Sequence, residues 1–143
     1  MQVVRSFSDA EAAQVGWPAR AILVSAVAES VSERRLAELG MQVETVGDIY
    51  SALSALMEDP SHVDMLVVDC DGIGGLTEAR RIVKLMGEVM RSVPVILISA
   101  DCGVQTFALE RHEPTVLRAP LTPVSLRVAF EHVLRRRLVP RFA

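Results

Sequence analysis

The stretch DMLVVDCDGIGG, residues 64–75, decides how the rest of the chain is read. Met65, Leu66, Val67 and Val68 form an unbroken apolar run that stops at a carboxylate, Asp69. A glycine-rich turn with Gly72, Gly74 and Gly75 follows at once. A strand that is apolar on both faces reads as a central strand of a parallel sheet, covered by helices above and below. In open α/β sheets the ligand crevice lies outside the carboxyl ends of the strands. Asp69 is therefore expected at that crevice, and the question is what this carboxylate can do there.

Upstream of that strand, residues 21–26 (AILVSA) read as a second central strand. Residues 30–39 read as a helix with Val31, Leu36 and Leu39 inward and Gly40 at the stop. Residues 41–46 alternate with polar Gln42, Glu44 and Thr45, which predicts a more exposed strand near an edge. Asp48 caps the next helix, whose inner stripe reads Ile49, Ala52, Leu53, Leu56 and Met57, and Pro60 ends it.

Downstream, Thr77 opens a longer helix in which Ala79, Ile82, Val83, Met86 and Met90 recur at helical spacing. These methionines read as core filler rather than a metal site. Residues 94–100 (PVILISA) are another apolar strand, residues 103–111 a weak helix with Val104, Phe107 and Ala108 on one side, and residues 115–117 a short last strand. The final helix has the clearest local signals: Thr122 as N-cap, Pro123 at the first helical position, and Leu121 with Leu126 as a hydrophobic staple. Val124, Val128 and Val133 are expected to face inward. Strand and helix alternate five times, which predicts an α/β fold: a five-stranded, doubly wound parallel sheet with helices on both faces and right-handed crossovers.

At 143 residues, half of them hydrophobic, the chain is expected to be one domain with a full core. Residues 1–20 read as an N-terminal extension, with Ser8 and Glu11 as a capping box for a short helix and Trp17 packed back on the domain. Residues 21–137 form the domain and 138–143 a tail. A net charge of −3 and a pI of about 5.6 give no global case for a nucleic-acid partner. The cluster Arg135, Arg136, Arg137 and Arg141 reads as a solvated helix end, where cations suit the macrodipole. Cys70 and Cys102 have neither zinc nor redox-pair spacing, so reduced thiols in the cytoplasm are expected, with Cys70 read as buried filler sooner than a redox-sensitive thiol. His62, His112 and His132 lack metal spacing and default to the surface. No apolar run approaches the ~20 residues that cross a membrane, and Arg5, Asp9 and Glu11 interrupt any leader-like core.

Three features, in order on this frame, resemble the receiver domains of two-component response regulators, over about residues 21–137. Asp69 ends the third strand, where receivers place the aspartate that accepts a phosphoryl group. Ser99 ends the fourth strand, where receivers keep a serine or threonine that bonds the phosphoryl oxygen. The run LRAPLTP, residues 117–123, is similar to the family's Leu-x-Lys-Pro-Phe-x-Pro turn into the last helix. The resemblance implies a flavodoxin-like strand order 2-1-3-4-5. It also implies a cytoplasmic signalling role, Asp69 as candidate phosphoacceptor and Ser99 as its phosphoryl contact.

The departures carry as much information. The acidic pair that holds Mg²⁺ in receivers falls on Ser25 and Ala26, and Glu29, the nearest acid, already enters the helix. The family's lysine falls on Ala119, its switch aromatic on Val116, and Arg118 lies on the opposite face from Ala119. Transfer of a phosphoryl group to a carboxylate brings anions together and needs cations to neutralise the developing charge. Mg²⁺ requires octahedral oxygen coordination, and only Asp69, with Asp71 as a weak second ligand, remains to hold it.

The expectation is therefore a degenerate receiver with no resident cofactor, not an enzyme, that works by protein–protein interaction without phosphorylation. Its partner would be a histidine kinase, another regulator or a second copy. The expected face is the weak helix, last strand and last helix, presenting Arg111, Arg118, Arg127 and Arg135. Asp69 then reads as a strand-end carboxylate satisfied by backbone donors, Ser99 as a local hydrogen-bonding residue and Asp71 as a turn residue. Two other readings stay open. One is an atypical phosphoreceiver that accepts phosphate on Asp69. The other is a small-molecule sensor using the room left by Ser25, Ala26 and Ala119.

Overall fold

A computed structural model describes residues 19–87, 93–108 and 113–142, with the backbone alone over residues 134–142. The expected short helix, Trp17, Met90, Arg111 and His112 lie outside the described residues, as does the side chain of Arg135.

Among the described residues, five strands and four α-helices follow one another: β1 (Arg20–Val24), α1 (Val31–Glu38), β2 (Gln42–Val46), α2 (Ile49–Glu58), β3 (Met65–Asp69), α3 (Leu76–Met86), β4 (Val95–Ser99), β5 (Thr115–Arg118) and α4 (Pro123–Phe142). The strands form one parallel sheet in the order β2-β1-β3-β4-β5, as expected. The apolar runs explain the order. β1, β3 and β4 are buried nearly throughout and sit at the centre, whereas β2 is half exposed and takes an edge.

Alternation along each strand then splits the core into two layers. Ile22, Val24, Leu66, Val68 and Leu97 pack with Ile49, Ala52 and Leu56 of α2 and Ala79 and Val83 of α3. Leu23, Met65, Val67, Ile96 and Ile98 pack with Leu36 of α1 and Leu126, Ala129 and Phe130 of α4. The two caps read from the sequence are present, Asp48 accepting from Ser51 N–H and Thr122 from Ser125 N–H, and Ser30, expected inside the first helix, caps it by accepting from Glu33 N–H.

Several expectations change. Residues 103–108 are not helical. They run as an extended arm along β5, where Thr106 and Val116 exchange backbone hydrogen bonds of 2.9 and 2.8 Å. The outer edge of β5 presents polar groups that need partners, and this segment has too little apolar surface to bury as a helix. Val124 and Val128 are exposed, because Leu121 and Leu126, both buried, fix the rotation of α4 so that Leu126, Ala129, Phe130 and Val133 face the sheet. Met57 is exposed at the edge of the α2 stripe. Helix α4 continues to Phe142, through the stretch expected as a tail, and Arg20, placed in the extension, begins β1. His132 is half-buried rather than on the surface, its ring 5.9 Å from that of Phe107. Among the described residues, no helix is long and apolar enough to cross a membrane.

Candidate functional site

The carboxyl ends of β3, β4 and β5, with the start of α1, frame a cleft of about 200 Å³. Ser30, Val31 and Ser32 line it from the start of α1, Asp69 and Asp71 from the end of β3, Ile98 from β4, and Ala119, Pro120 and Leu121 from the turn into α4. The crevice expected from sheet topology is thus present, with Asp69 in it.

Asp69 is half-buried, and its Oδ1 accepts a 2.6 Å hydrogen bond from the Ser32 hydroxyl. The expected backbone donors are replaced by this side chain. Ser32 lies four residues before buried Leu36, so the helical spacing that turns Leu36 inward turns Ser32 toward the cleft. That periodicity is the signal in the sequence that could have found Ser32. Burial raises the Asp69 carboxyl above its ordinary value, the hydroxyls of Ser32 and, to a smaller extent, Ser25 oppose that shift, and the negative charge of Asp71 adds to it.

Asp71 stands in the short 3-10 turn Cys70–Ile73 that follows β3. Its Oδ1 accepts from the Ser99 hydroxyl at 2.6 Å and its Oδ2 from Ala100 N–H at 2.8 Å. Ser99 is fully buried, and its Oγ also accepts from Asp101 N–H at 3.0 Å. The structure therefore brings Asp69, Asp71 and Ser99 to one site, but it commits the single proton of Ser99 to Asp71.

The positions where receivers carry charge are closed or apolar. Ser25 is buried, its Oγ donating to Val27 O at 3.0 Å and accepting from Val27 N–H at 3.3 Å, and its hydroxyl also lies against the Asp69 carboxyl. Ala26 sits on Gly72 so closely that a Cβ on the glycine would come within 2.9 Å of the Ala26 Cβ. Glu29 is exposed in the same loop with φ 54°. Ala119 lines the cleft and precedes Pro120 through a cis peptide bond. Val116 is buried in the layer shared with α2 and α3. Arg118 points away from the cleft: its Nε donates to Cys102 O at 3.1 Å and its guanidinium also donates to Gly103 O. Arg127 lies on α4, 3.5 Å from Glu131.

Mg²⁺ is the cofactor a receiver-type site implies, and these residues do not fit it. Among the described residues no group of three His, Cys, Asp or Glu side chains converges, and both carboxyl oxygens of Asp71 already accept hydrogen bonds. Cys70 is buried, and burial pushes its thiol up to about 12, which suits filler and not a reactive thiolate.

A parallel sheet in the order 2-1-3-4-5 with helices on both faces is a flavodoxin-like α/β fold. No family model matches the sequence, and no curated protein matches it. Solved structures do. A response regulator receiver protein from Sinorhizobium medicae superposes with a TM-score of 0.60 at 19% identity, over 84% of this chain and 97% of that one. The chemotaxis response regulator CheY4 of Vibrio cholerae gives 0.57 at 17% identity, over 81% and 98%. The beryllofluoride-activated NtrC4 receiver domain dimer gives 0.59 at 16% identity, over 82% and 97%. At these identities the likeness establishes the fold.

Proposed function

We propose that this chain is a receiver-like signalling module that binds another protein and does not run a phosphorylation cycle at Asp69. One observation carries the reading: among the described residues, no lysine or arginine lines the cleft that holds Asp69. A phosphoryl group there would meet two carboxylates, a committed serine and an alanine. Removing a preorganised electrostatic group costs roughly 10²–10³ in rate, so losing both the metal site and the lysine leaves little chemistry. The module is accordingly a binder and not a catalyst.

The binding face we assign is α4. Val124 and Val128 are 73% and 47% exposed on either side of Arg127. An arginine between exposed apolar residues is a composition enriched at interfaces. The partner is a histidine kinase, another regulator or a second copy, met in the cytoplasm. A second copy would dock through α4 and not by strand addition to β5, because Val116 already exchanges both its hydrogen bonds with Thr106. The small-molecule reading is weaker, since the cleft, about 200 Å³, falls below the ~300 Å³ usual for ligand pockets.

The test is partner capture and sedimentation with two variants. Arg127→Glu should abolish binding or self-association, while Asp69→Asn should leave both intact. Loss of function in Asp69→Asn with Arg127→Glu intact would contradict the proposal and favour an atypical phosphoreceiver.

A further inference from the structure

Two donors at the end of β4 converge on one anion. The Ser99 hydroxyl and Ala100 N–H donate to the two carboxyl oxygens of Asp71 at 2.6 and 2.8 Å. The next two amides are tied into the same knot, Asp101 N–H to Ser99 Oγ at 3.0 Å and Cys102 N–H to Ser99 O at 3.2 Å. The arm starts from this knot and runs back along β5. It is fastened there by Thr106 to Val116, by Arg118 to Cys102 O and Gly103 O, and by Gln105 Oε1, which accepts from Arg118 N–H at 3.0 Å. Its far end is held by Ala108 N–H, which donates to Thr115 Oγ1 at 3.1 Å.

The pair Ser99 O–H and Ala100 N–H is thus an anion clamp, and a side chain of the same domain fills it. The filling is well anchored. Asp71 stands on a one-turn helix that starts at buried Cys70 and closes with Gly75 N–H on Cys70 O at 2.8 Å. Hydrogen bonds to an ionised acceptor are about twice as strong as neutral ones. An oxyanion entering the crevice, on Asp69 or free, would have to displace a carboxylate already in place.

We propose that Asp71 is a built-in anion that permanently occupies the Ser99–Ala100 clamp and so holds the arm of residues 103–108 against β5. A fixed carboxylate does here what a transient oxyanion in the crevice would do reversibly. The position of the arm is written into the sequence and needs no modification to set it. Without the Asp71 side chain, the clamp becomes a site for a small free oxyanion. This inference goes beyond the proposed function, because it holds whichever partner the module binds.

The experiment is amide hydrogen exchange by NMR on the full chain, reading Thr106 and Val116 in the arm contact against Leu23 and Val67 in the sheet centre. In Asp71→Ala, exchange at Thr106 and Val116 should accelerate by ~10-fold or more while Leu23 and Val67 keep their rates, as local opening requires. Sodium acetate or inorganic phosphate should slow that exchange again, where sodium chloride of equal ionic strength does not. Unchanged arm exchange in Asp71→Ala overturns the proposal, and so does a rescue that chloride gives equally well. Should Asp71→Ala fail to fold, Ser99→Ala removes the other half of the clamp. Faster exchange confined to Thr106 and Val116 then supports the proposal, and unchanged exchange overturns it.

Discussion

Replacing Gly72 with alanine tests how tightly the loop after β1 closes over the turn after β3. The added methyl would lie 2.9 Å from the Ala26 Cβ and 3.6 Å from its backbone nitrogen. Non-bonded carbons rest at ~3.5–4.0 Å, so the two loops must part by roughly 0.6–1 Å. Overpacking of this kind costs ~1–3 kcal/mol, and two exposed loops should relax toward the lower part of that range. Stiffening the unfolded chain by exchanging glycine for alanine returns ~0.4–1 kcal/mol. The net loss is then about 1 kcal/mol, or roughly 3–4 °C in Tm for a chain of this length. Gly47→Ala is the control: an added Cβ there meets nothing within 4 Å, so it should be neutral or mildly stabilising. Urea unfolding of both variants gives the comparison. Ala26→Gly in the Gly72→Ala background should restore most of the loss, because it removes the other half of the clash. Equal stabilities for Gly72→Ala and Gly47→Ala, or no restoration by Ala26→Gly, would refute the reasoning.

Other outcomes follow from the same site. Asp69 has a folded-state pKa above its ordinary value of 3.8, so its contribution favours folding below that value and is lost as pH rises through the raised one. The stability of Asp69→Asn relative to the parent chain should therefore increase from pH ~3.5 toward neutrality, and urea titrations in which the difference stays flat or falls would contradict the assignment. Ser32→Ala removes the larger of the two hydroxyl interactions that oppose this shift, so the Asp69 carboxyl should titrate higher still in a carbon-detected NMR titration. Cys70, with its thiol pushed to about 12, should resist a thiol reagent at pH 8 in the folded chain and react once urea exposes it.

The frame of the molecule was open to reading because a few residues state it redundantly. Met65 to Val68 have no polar face, so only a strand covered on both sides suits them, and β2 announces itself as an edge by Gln42, Glu44 and Thr45. Thr122, Pro123 and the Leu121–Leu126 staple mark the start of α4 by local rules alone. The site was half legible. Asp69, Ser99 and the missing charges at Ser25, Ala26 and Ala119 stand in register with a family pattern. Ser32 and the clamp on Asp71 do not, because they depend on which side chains meet across the sheet end, over 37 and 28 positions of sequence. The arm misled for a further reason. Val104, Phe107 and Ala108 have helical spacing, but the unmet edge of β5 outweighs the weak propensity of that segment. Val124 and Val128 failed similarly: two staggered stripes compete on α4, and the one carrying Leu126 and Phe130 buries more surface.

Whether Asp69 can act as a phosphoacceptor is decided by the amide NMR spectrum of the chain in millimolar Mg²⁺ with beryllofluoride. A module without a phosphoryl switch shows no shifts at Asp69, Asp71 and Ser99. Saturable shifts at those residues that spread through the arm to Arg118 would contradict it and restore a working phosphoryl switch.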